Sequence, residues 1–350
     1  MLDSHIKCWV RFITQDSKWE KWAIDKYAHQ MMRELRRVNI PCSVSPVIWG
    51  WSFVKMLFEH LFMPLVTGWK LLFCKEKIIY LHYDFFAILI TYIPFLWCAR
   101  FLFWKKIIVQ VHEYWENQPY KKIVKIVDLA YCSLAHIIIV HNTEQLQVLK
   151  SQGFKNIEFL PMPIDDYVVQ PSPDNKQEVI SILMHGAIIR KKWYEIWIQA
   201  LWLLPAWYHL TLVGGIGHMD YYKELIQNIK SLHLENRITI INRFLPDEEY
   251  LQYIKAADII IYPYLISTAS AALSEGALKF EKPFLTSNLD SFVDYLGTEE
   301  YSFMVGDPIS LAEKIRQLDM TKATQFSIVL KETYNWNKVW IKLSNIFTNL

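Results

Sequence analysis

Short apolar runs rich in Val, Ile and Leu recur along this chain, at residues 6–13, 78–82, 106–111, 136–141, 157–161, 179–185, 208–213, 237–241, 259–263 and 283–287. Between them lie stretches with apolar residues at helical spacing, at 22–38, 120–134, 143–152, 193–203, 221–232, 247–256, 271–280 and 308–317. The runs are apolar on both faces, so they fit strands buried on two sides, with the intervening helices as cover. Strands and helices in alternation specify an α/β protein built on parallel sheets. The alternation breaks at 161–175, PMPIDDYVVQPSPDN, where prolines and polar residues mark a linker. The pattern predicts two Rossmann-like doubly wound domains facing across a cleft, residues 1–165 and 166–330. A final helix at 331–350, with Trp336 and Trp340, is expected to pack back toward the first domain.

Composition sharpens this picture. A chain of 350 residues that is 53% hydrophobic and 21% charged supplies two buried cores and excludes a disordered protein. The five cysteines, Cys8, Cys42, Cys74, Cys98 and Cys132, form no CxxC pair, as expected of reduced thiols in a cytoplasmic protein. The start, MLDSHIKCWVRF, lacks the apolar core of a signal peptide. The net charge of +2 hides an asymmetry: residues 1–165 carry 20 Lys and Arg against 14 Asp and Glu, and the remainder 17 against 21. The first part also holds nine of the 15 tryptophans, many close to Lys or Arg, as at 48–51, 69–77 and 97–106. Basic residues beside amphipathic aromatics suit peripheral contact with the anionic cytoplasmic face of a membrane. They suit a buried aromatic core with a solvated lysine rim equally well. The best candidate for a spanning helix, 85–99, has 15 uncharged residues and contains Pro94, short of the ~20 needed. No nucleic-acid partner is expected.

In doubly wound sheets, ligands bind beyond the carboxyl ends of the strands. His82 and Asp84 follow one strand, His112 and Glu113 the next, residues 185–192 a third, and Gly214, Gly215 and Gly217 a fourth. The glycines form no full GxGxxG and are turn residues. The segment PYLISTASAALSEGALKFEKPF, 263–284, places the small residues 267–272 ahead of a helix. Free backbone N–H groups and the positive helix end would hold a diphosphate there, with Glu275 one turn in, placed to accept hydrogen bonds from sugar hydroxyls. Arg190, Lys191 and Lys192 sit at another helix start, where cations oppose the dipole and so favour an anion site. The bland readings stand beside these: N-caps for Ser267, Thr268 and Ser270, a solvated turn for Arg190–Lys192, and a satisfied strand-end histidine for His112.

Taken in order, several segments resemble the retaining GT-B glycosyltransferases of family 4. In the second half these are 183–200 (LMHGAIIRKKWYEIWIQA), 210–215 (LTLVGG), 238–263 (ITIINRFLPDEEYLQYIKAADIIIYP), 267–287 (STASAALSEGALKFEKPFLTS) and 303–318 (FMVGDPISLAEKIRQL). In the first half, 79–87 (IYLHYDFFA), 107–114 (IIVQVHEY) and 140–165, ending LPMPID, resemble the acceptor domain. The resemblance implies a nucleotide-sugar donor, a UDP- or GDP-sugar acting as substrate with no further cofactor, and a glycan or lipid-linked acceptor. It implies Lys192 as a ligand of the donor diphosphate, assisted by Arg190 beside the strand-end Gly186. The turn Thr268, Ala269, Ser270, Ala271 and Ala272 would cradle the diphosphate and donor sugar with backbone amides. Glu275 matches the second of the family's paired glutamates, which binds ribose, and Phe244 and Leu245 lie where the base packs against the main chain. His112 matches the histidine that points at the donor sugar. This chain departs from the pattern at the first glutamate of the pair, replaced at Thr268, and at Ala187 and Trp193, where the family often has arginine and glycine. It also lacks the family's N-terminal glycine-rich loop, since residues 14–21 read TQDSKWEK.

Displacing a nucleoside diphosphate from an anomeric carbon builds negative charge on the leaving phosphates, which lysine, arginine and a helix N-terminus stabilise without metal. No Asp-x-Asp triplet occurs in the sequence, in keeping with a site that uses no metal. No carboxylate stands out as a nucleophile of the kind retaining glycosidases use. With the family, this favours front-face transfer in which the leaving phosphate helps to deprotonate the acceptor hydroxyl, with Asp84 and Glu113 as candidates to orient that hydroxyl. Together these features predict a hexosyltransferase of cell-surface polysaccharide or glycolipid synthesis. The departures leave a second reading, an inactive GT-B pseudo-transferase serving as partner in a glycan assembly complex. Nucleotide-sugar epimerase or hydrolase chemistry is a third.

Overall fold

The structure is a computed structural model that describes residues 10–15, 23–37, 40–47, 63–83, 90–112, 121–169, 179–266 and 271–350. The chain divides into two compact units, one of Met1–Pro161 with Val339–Leu350 and one of Met162–Lys338.

Unit 1 runs β1 (Val10–Gln15), α1 (Ala23–Arg37), β2 (Cys42–Val47), α2 (Met63–Phe73), β3 (Ile78–Tyr83), α3 (Ile93–Phe101), β4 (Lys106–Val111), α4 (Lys121–Leu134), β5 (Ile137–Val140), α5 (Thr143–Ser151) and β6 (Ile157–Phe159). Its strands form one parallel sheet in the order β2-β1-β3-β4-β5-β6. The chain moves one way from β1 to β2 and the other way from β3 onward, and right-handed crossovers then cover both faces of the sheet. Ile79, Leu81, Ile107, Val109 and Ile138 are fully buried in one cluster with Leu96, Val124 and Tyr131 of the helices.

Unit 2 runs β7 (Ile180–His185), a 3-10 turn (Arg190–Lys192), α6 (Tyr194–Leu203), β8 (Tyr208–Val213), α7 (Met219–Ser231), β9 (Ile238–Ile241), α8 (Asp247–Ala256) and β10 (Ile259–Tyr262). It continues with a short α9 (Ala271–Leu273) that passes into a π-helical turn (Ser274–Leu278), then β11 (Phe284–Ser287), α10 (Asp290–Leu296), β12 (Ser302–Phe303), α11 (Pro308–Gln317) and α12 (Met320–Tyr334). The sheet is again parallel, in the order β12-β11-β10-β7-β8-β9. The last helix, α13 (Trp336–Thr348), starts in unit 2, and from Val339 its residues belong to unit 1, where Phe347 meets Tyr80 at 5.8 Å between ring centroids.

The break between the units falls at Pro161–Met162, four residues before the expected 165. Met162 and Ile164 are bound into unit 2: Tyr295 Oη donates to the Met162 carbonyl at 2.8 Å, and the Ile164 N–H to the Tyr334 carbonyl at 2.8 Å. Two strands escape the apolar-run criterion. β2, CSVSPV, alternates polar and apolar residues and carries Pro46, which an edge strand tolerates, and β12 is only two residues long. The uncharged stretch at 85–99 ends inside α3, with Pro94 in the first helical turn, where a missing N–H costs nothing. Among the described residues no helix is long and apolar enough to cross a membrane.

Candidate functional site

In unit 2 the strand order reverses between β7 and β10, which are hydrogen-bonded neighbours, so the crevice of a doubly wound sheet lies at their carboxyl ends. There the buried His185 sits between two tyrosines, with Tyr250 Oη 2.6 Å from Nδ1 and Tyr262 Oη 3.1 Å from Nε2. The Ala277 N–H donates to Tyr262 Oη at 3.0 Å. All groups are satisfied if Tyr262 donates to Nε2 and the Nδ1–H donates to Tyr250, the tautomer of a neutral imidazole. Burial, with Lys192 adding to it, lowers the His185 pKa to about 3. The π-helical turn passes close above this network. A Cβ on Gly276 would stand 2.5 Å from Tyr262 Oη and 2.6 Å from His185 Nε2, so only glycine fits.

Lys192 belongs to the same strand end. Its Nζ donates to the His185 carbonyl at 3.1 Å and lies 5.3 Å from the ring centroid of Tyr264, two residues beyond Tyr262. Gly186, the strand-end glycine, has φ +101°, and the ammonium occupies the space in which a side chain at that position would stand. Trp193 follows with φ 48° and ψ 55°, the left-handed conformation that glycine favours. A tryptophan held there costs ~1–2 kcal/mol, so surrounding structure imposes the turn. Part of that structure is Gly306, at φ +82°, where a Cβ would come within 2.6 Å of the Trp193 ring.

Arg190 points elsewhere. One of its terminal nitrogens donates to both carboxylate oxygens of Glu224, at 2.9 and 2.8 Å, and its guanidinium lies 4.7 Å over the Tyr221 ring. Both partners are more than half exposed, a setting in which such a pair contributes little and can exchange. The Glu275 carboxylate, in the π-helical turn, pairs at 3.1 Å with Lys279, which also holds Asp165 at 2.6 Å. After β9, Leu245 is buried while the Phe244 ring is 79% exposed. Ala271 and Ala272 open α9. Thr268, Ala269 and Ser270 lie outside the described residues, as do Asp84 and Glu113 in unit 1.

The strand ends of unit 1 are different in kind. His82 after β3, His112 after β4 and His141 after β5 are all buried. His82 Nε2 and His112 Nε2 are 3.0 Å apart, and the His112 and His141 rings stack at 4.9 Å. Tyr80 Oη donates to Gln110 Oε1, Gln110 Nε2 donates to His141 Nε2 at 2.8 Å, and His141 Nδ1–H then donates to the Leu160 carbonyl at 2.8 Å. Gln145, at the start of α5, accepts from the His141 N–H and donates to the His112 carbonyl, each at 2.9 Å. Tyr27 of α1 stacks on His82 at 5.1 Å. Burial lowers the pKa of His82 to about 3 and of His141 to about 4, and holds His112 well below its ordinary value. His112 is thus one member of a closed, uncharged network. Sequence reasoning missed Tyr250, Tyr262, Gln110, Gln145 and His141; the signal for Tyr262, Gln110 and His141 was a polar or tyrosyl residue at the carboxyl end of an apolar strand, whereas Tyr250 and Gln145 lie on helices. Among the described residues no three His, Cys, Asp or Glu converge to hold a metal ion.

The family model for glycosyl transferases group 1 matches residues 169–322, which take in every strand of unit 2 and the Lys192 turn. Unit 2 is a glycosyl transferases group 1 domain. Among solved structures, this chain is similar to Anabaena Alr3699/HepE in complex with UDP at 14% identity and a TM-score of 0.75, with 97% of this chain and 100% of that one covered. A lipopolysaccharide outer core galactosyltransferase, WaaB, in its apo form matches at 13% identity and TM-score 0.72, covering 98% and 100%. The catalytic domain of starch synthase IV from Arabidopsis thaliana bound to ADP and acarbose matches at 9% and 0.73, covering 98% and 99%. No curated protein matches in sequence. At these identities the structural likeness speaks for the fold. With two parallel six-stranded sheets clad in helices, that fold is GT-B.

Proposed function

We propose that this group 1 chain is a retaining glycosyltransferase that moves a hexose from a UDP- or GDP-sugar to a hydroxyl of a glycan or lipid-linked acceptor. The setting would be synthesis of a cell-surface polysaccharide or glycolipid, with peripheral contact at the cytoplasmic membrane face. The observation that carries the reading is the Lys192 ammonium, folded back over the β7 end in the matched domain, where a diphosphate would meet it. HepE, of similar fold, is described in complex with UDP, with UDP and glucose, and with UDP-glucose, which supports testing uridine donors first.

In this reading Lys192 neutralises charge building on the leaving diphosphate, and Arg190 joins it by exchanging Glu224 for phosphate. Backbone amides of Gly186 and of 268–272 complete the anion site, so neither metal nor organic cofactor is required. Glu275 accepts from the ribose hydroxyls, and the base lies along Phe244 and Leu245. In unit 1, His112 acts as a neutral hydrogen-bonding group rather than an acid, since its network holds it uncharged at working pH. Asp84 and Glu113 orient the acceptor hydroxyl. The experiment is to incubate the chain with UDP-glucose, UDP-galactose and GDP-mannose and a panel of lipid-linked acceptors, without added metal, and to read the product's anomeric configuration by NMR. An α-linked product from an α-linked donor is expected. An inverted product would overturn retention, and binding without any transfer would overturn the enzyme reading in favour of a pseudo-transferase.

A further inference from the structure

Unit 1 leaves an aromatic surface uncovered. Trp69 and Phe73 on α2 are 58% and 67% exposed, Trp97 and Phe101 on α3 are half exposed, and Trp104 just beyond is 84% exposed. These residues form one surface. Trp69 stacks on Phe73 at 6.0 Å and meets Phe95 of α3 at 6.2 Å, Phe73 meets Phe103 at 5.3 Å, and Trp97 packs on Phe101 at 5.2 Å. The helix ends beneath are tied together. Lys105 Nζ donates to the carbonyls of Cys74 and Glu76 at 2.8 and 2.7 Å, and Arg100 to those of Ser133 and Ala135, each at 3.1 Å. Neighbouring α4 also exposes Ile123 and Ile126, near its start. Monomeric proteins seldom leave so continuous an apolar face in water without a partner.

Charge identifies the partner. On α2, α3, α4 and the described turns that follow them, the acidic residues are Glu76 and Asp128, and both are buried. Lys70, Lys75, Lys77 and Lys122 are exposed around the aromatics. A face with a tryptophan-rich centre, a lysine rim and no exposed carboxylate among its described residues fits the headgroup layer of an anionic bilayer, where indole rings settle at the interface and lysines meet lipid phosphates. The aromatic centre sits at the helix ends that precede the amino ends of β3 and β4, and so opposite the strand ends that carry His82 and His112. We infer that the outward face of α2, α3 and α4, with Trp104 as its most protruding side chain, docks unit 1 onto an anionic lipid surface. The inference deepens the membrane contact proposed above and rests on it.

The test uses the full chain and vesicles of phosphatidylcholine alone or mixed in roughly equal parts with phosphatidylglycerol, with UDP binding measured in the same preparations. Co-sedimentation with the mixed vesicles alone is expected. Lys70→Glu with Lys77→Glu should weaken partitioning about fivefold or more for each lysine, and Phe101→Ser with Trp104→Ser should abolish it, with UDP affinity unchanged. As a readout that does not depend on those variants folding, brominated lipid should quench tryptophan emission of the unmodified chain, less so in Trp104→Phe. Absence of sedimentation and quenching would overturn the inference even if UDP binds. So would a dimer, seen by light scattering, that Trp104→Ser converts to monomer while vesicles are ignored. Loss of UDP binding with lipid binding intact would overturn the donor reading alone.

Discussion

The two units share a topology but use their strand ends oppositely. Unit 1 closes its ends with three buried histidines, two glutamines and Tyr80 joined by hydrogen bonds, with Tyr27 stacked on His82, and burial keeps the imidazoles uncharged. Unit 2 buries one histidine, between two tyrosines, and then brings a lysine back over that strand end. The same fold thus buries a neutral polar network at the strand ends of one half and places a cation at the switch point of the other.

Acid should break the comparison most strongly. His82, His112 and His141 are neutral when folded and protonate near pH 6.5 when unfolded. Their contribution is therefore complete above about pH 6.5 and is lost as pH falls toward 4 and below. His141 alone, at about 4, accounts for on the order of 3 kcal/mol. Asp128, raised to about 7 by burial, acts in the opposite sense and offsets about one histidine. In unit 2 the buried His185 is held in this state, and burial also lowers the pKa of the half-buried His209. Hydrogen exchange at pH 7 and pH 5, corrected for intrinsic rates, should show β3–β5 losing more protection than β7–β10; equal losses would contradict the account.

Lys192→Ala comes next. We expect nucleoside diphosphate affinity to fall about 100-fold, or ~2.7 kcal/mol, with the melting temperature almost unchanged. Gly276→Ala sharpens the comparison from the packing side. The added methyl meets Tyr262 Oη and His185 Nε2, and the cost should be ~1–3 kcal/mol of stability by chemical denaturation. Arg190→Ala should do least, leaving stability to chemical denaturation almost unchanged, because its pair with Glu224 is exposed. Its effect on donor affinity should be several-fold, read by calorimetry.

Unit 2 was the more legible half. Its strands from Ile180 to Ser287 were all marked by apolar runs, and Lys192 and Glu275 stood out by position after them. The polar networks were less legible, because Tyr250 on α8 and Gln145 on α5 reach the strand ends from helices far away in sequence. Arg190 was read as an anion ligand from its neighbours in the chain, whereas its partner Glu224 lies 34 residues on, along α7. Trp193 shows how sequence alone misleads. The family's glycine is absent there, yet the backbone takes the conformation glycine favours and Gly306 makes room for the ring. In unit 1, β2 was invisible because an edge strand with a proline need not be an apolar run.

The most direct test of the central claim, that the Lys192 turn of unit 2 is the diphosphate site, is titration calorimetry of UDP and GDP into the chain, into Lys192→Ala and into Glu275→Ala. The account predicts selective binding of one nucleotide that Lys192→Ala reduces about 100-fold and Glu275→Ala weakens, with both variants folded. Undiminished binding to Lys192→Ala, or no binding of either nucleotide to the unmodified chain, would contradict it.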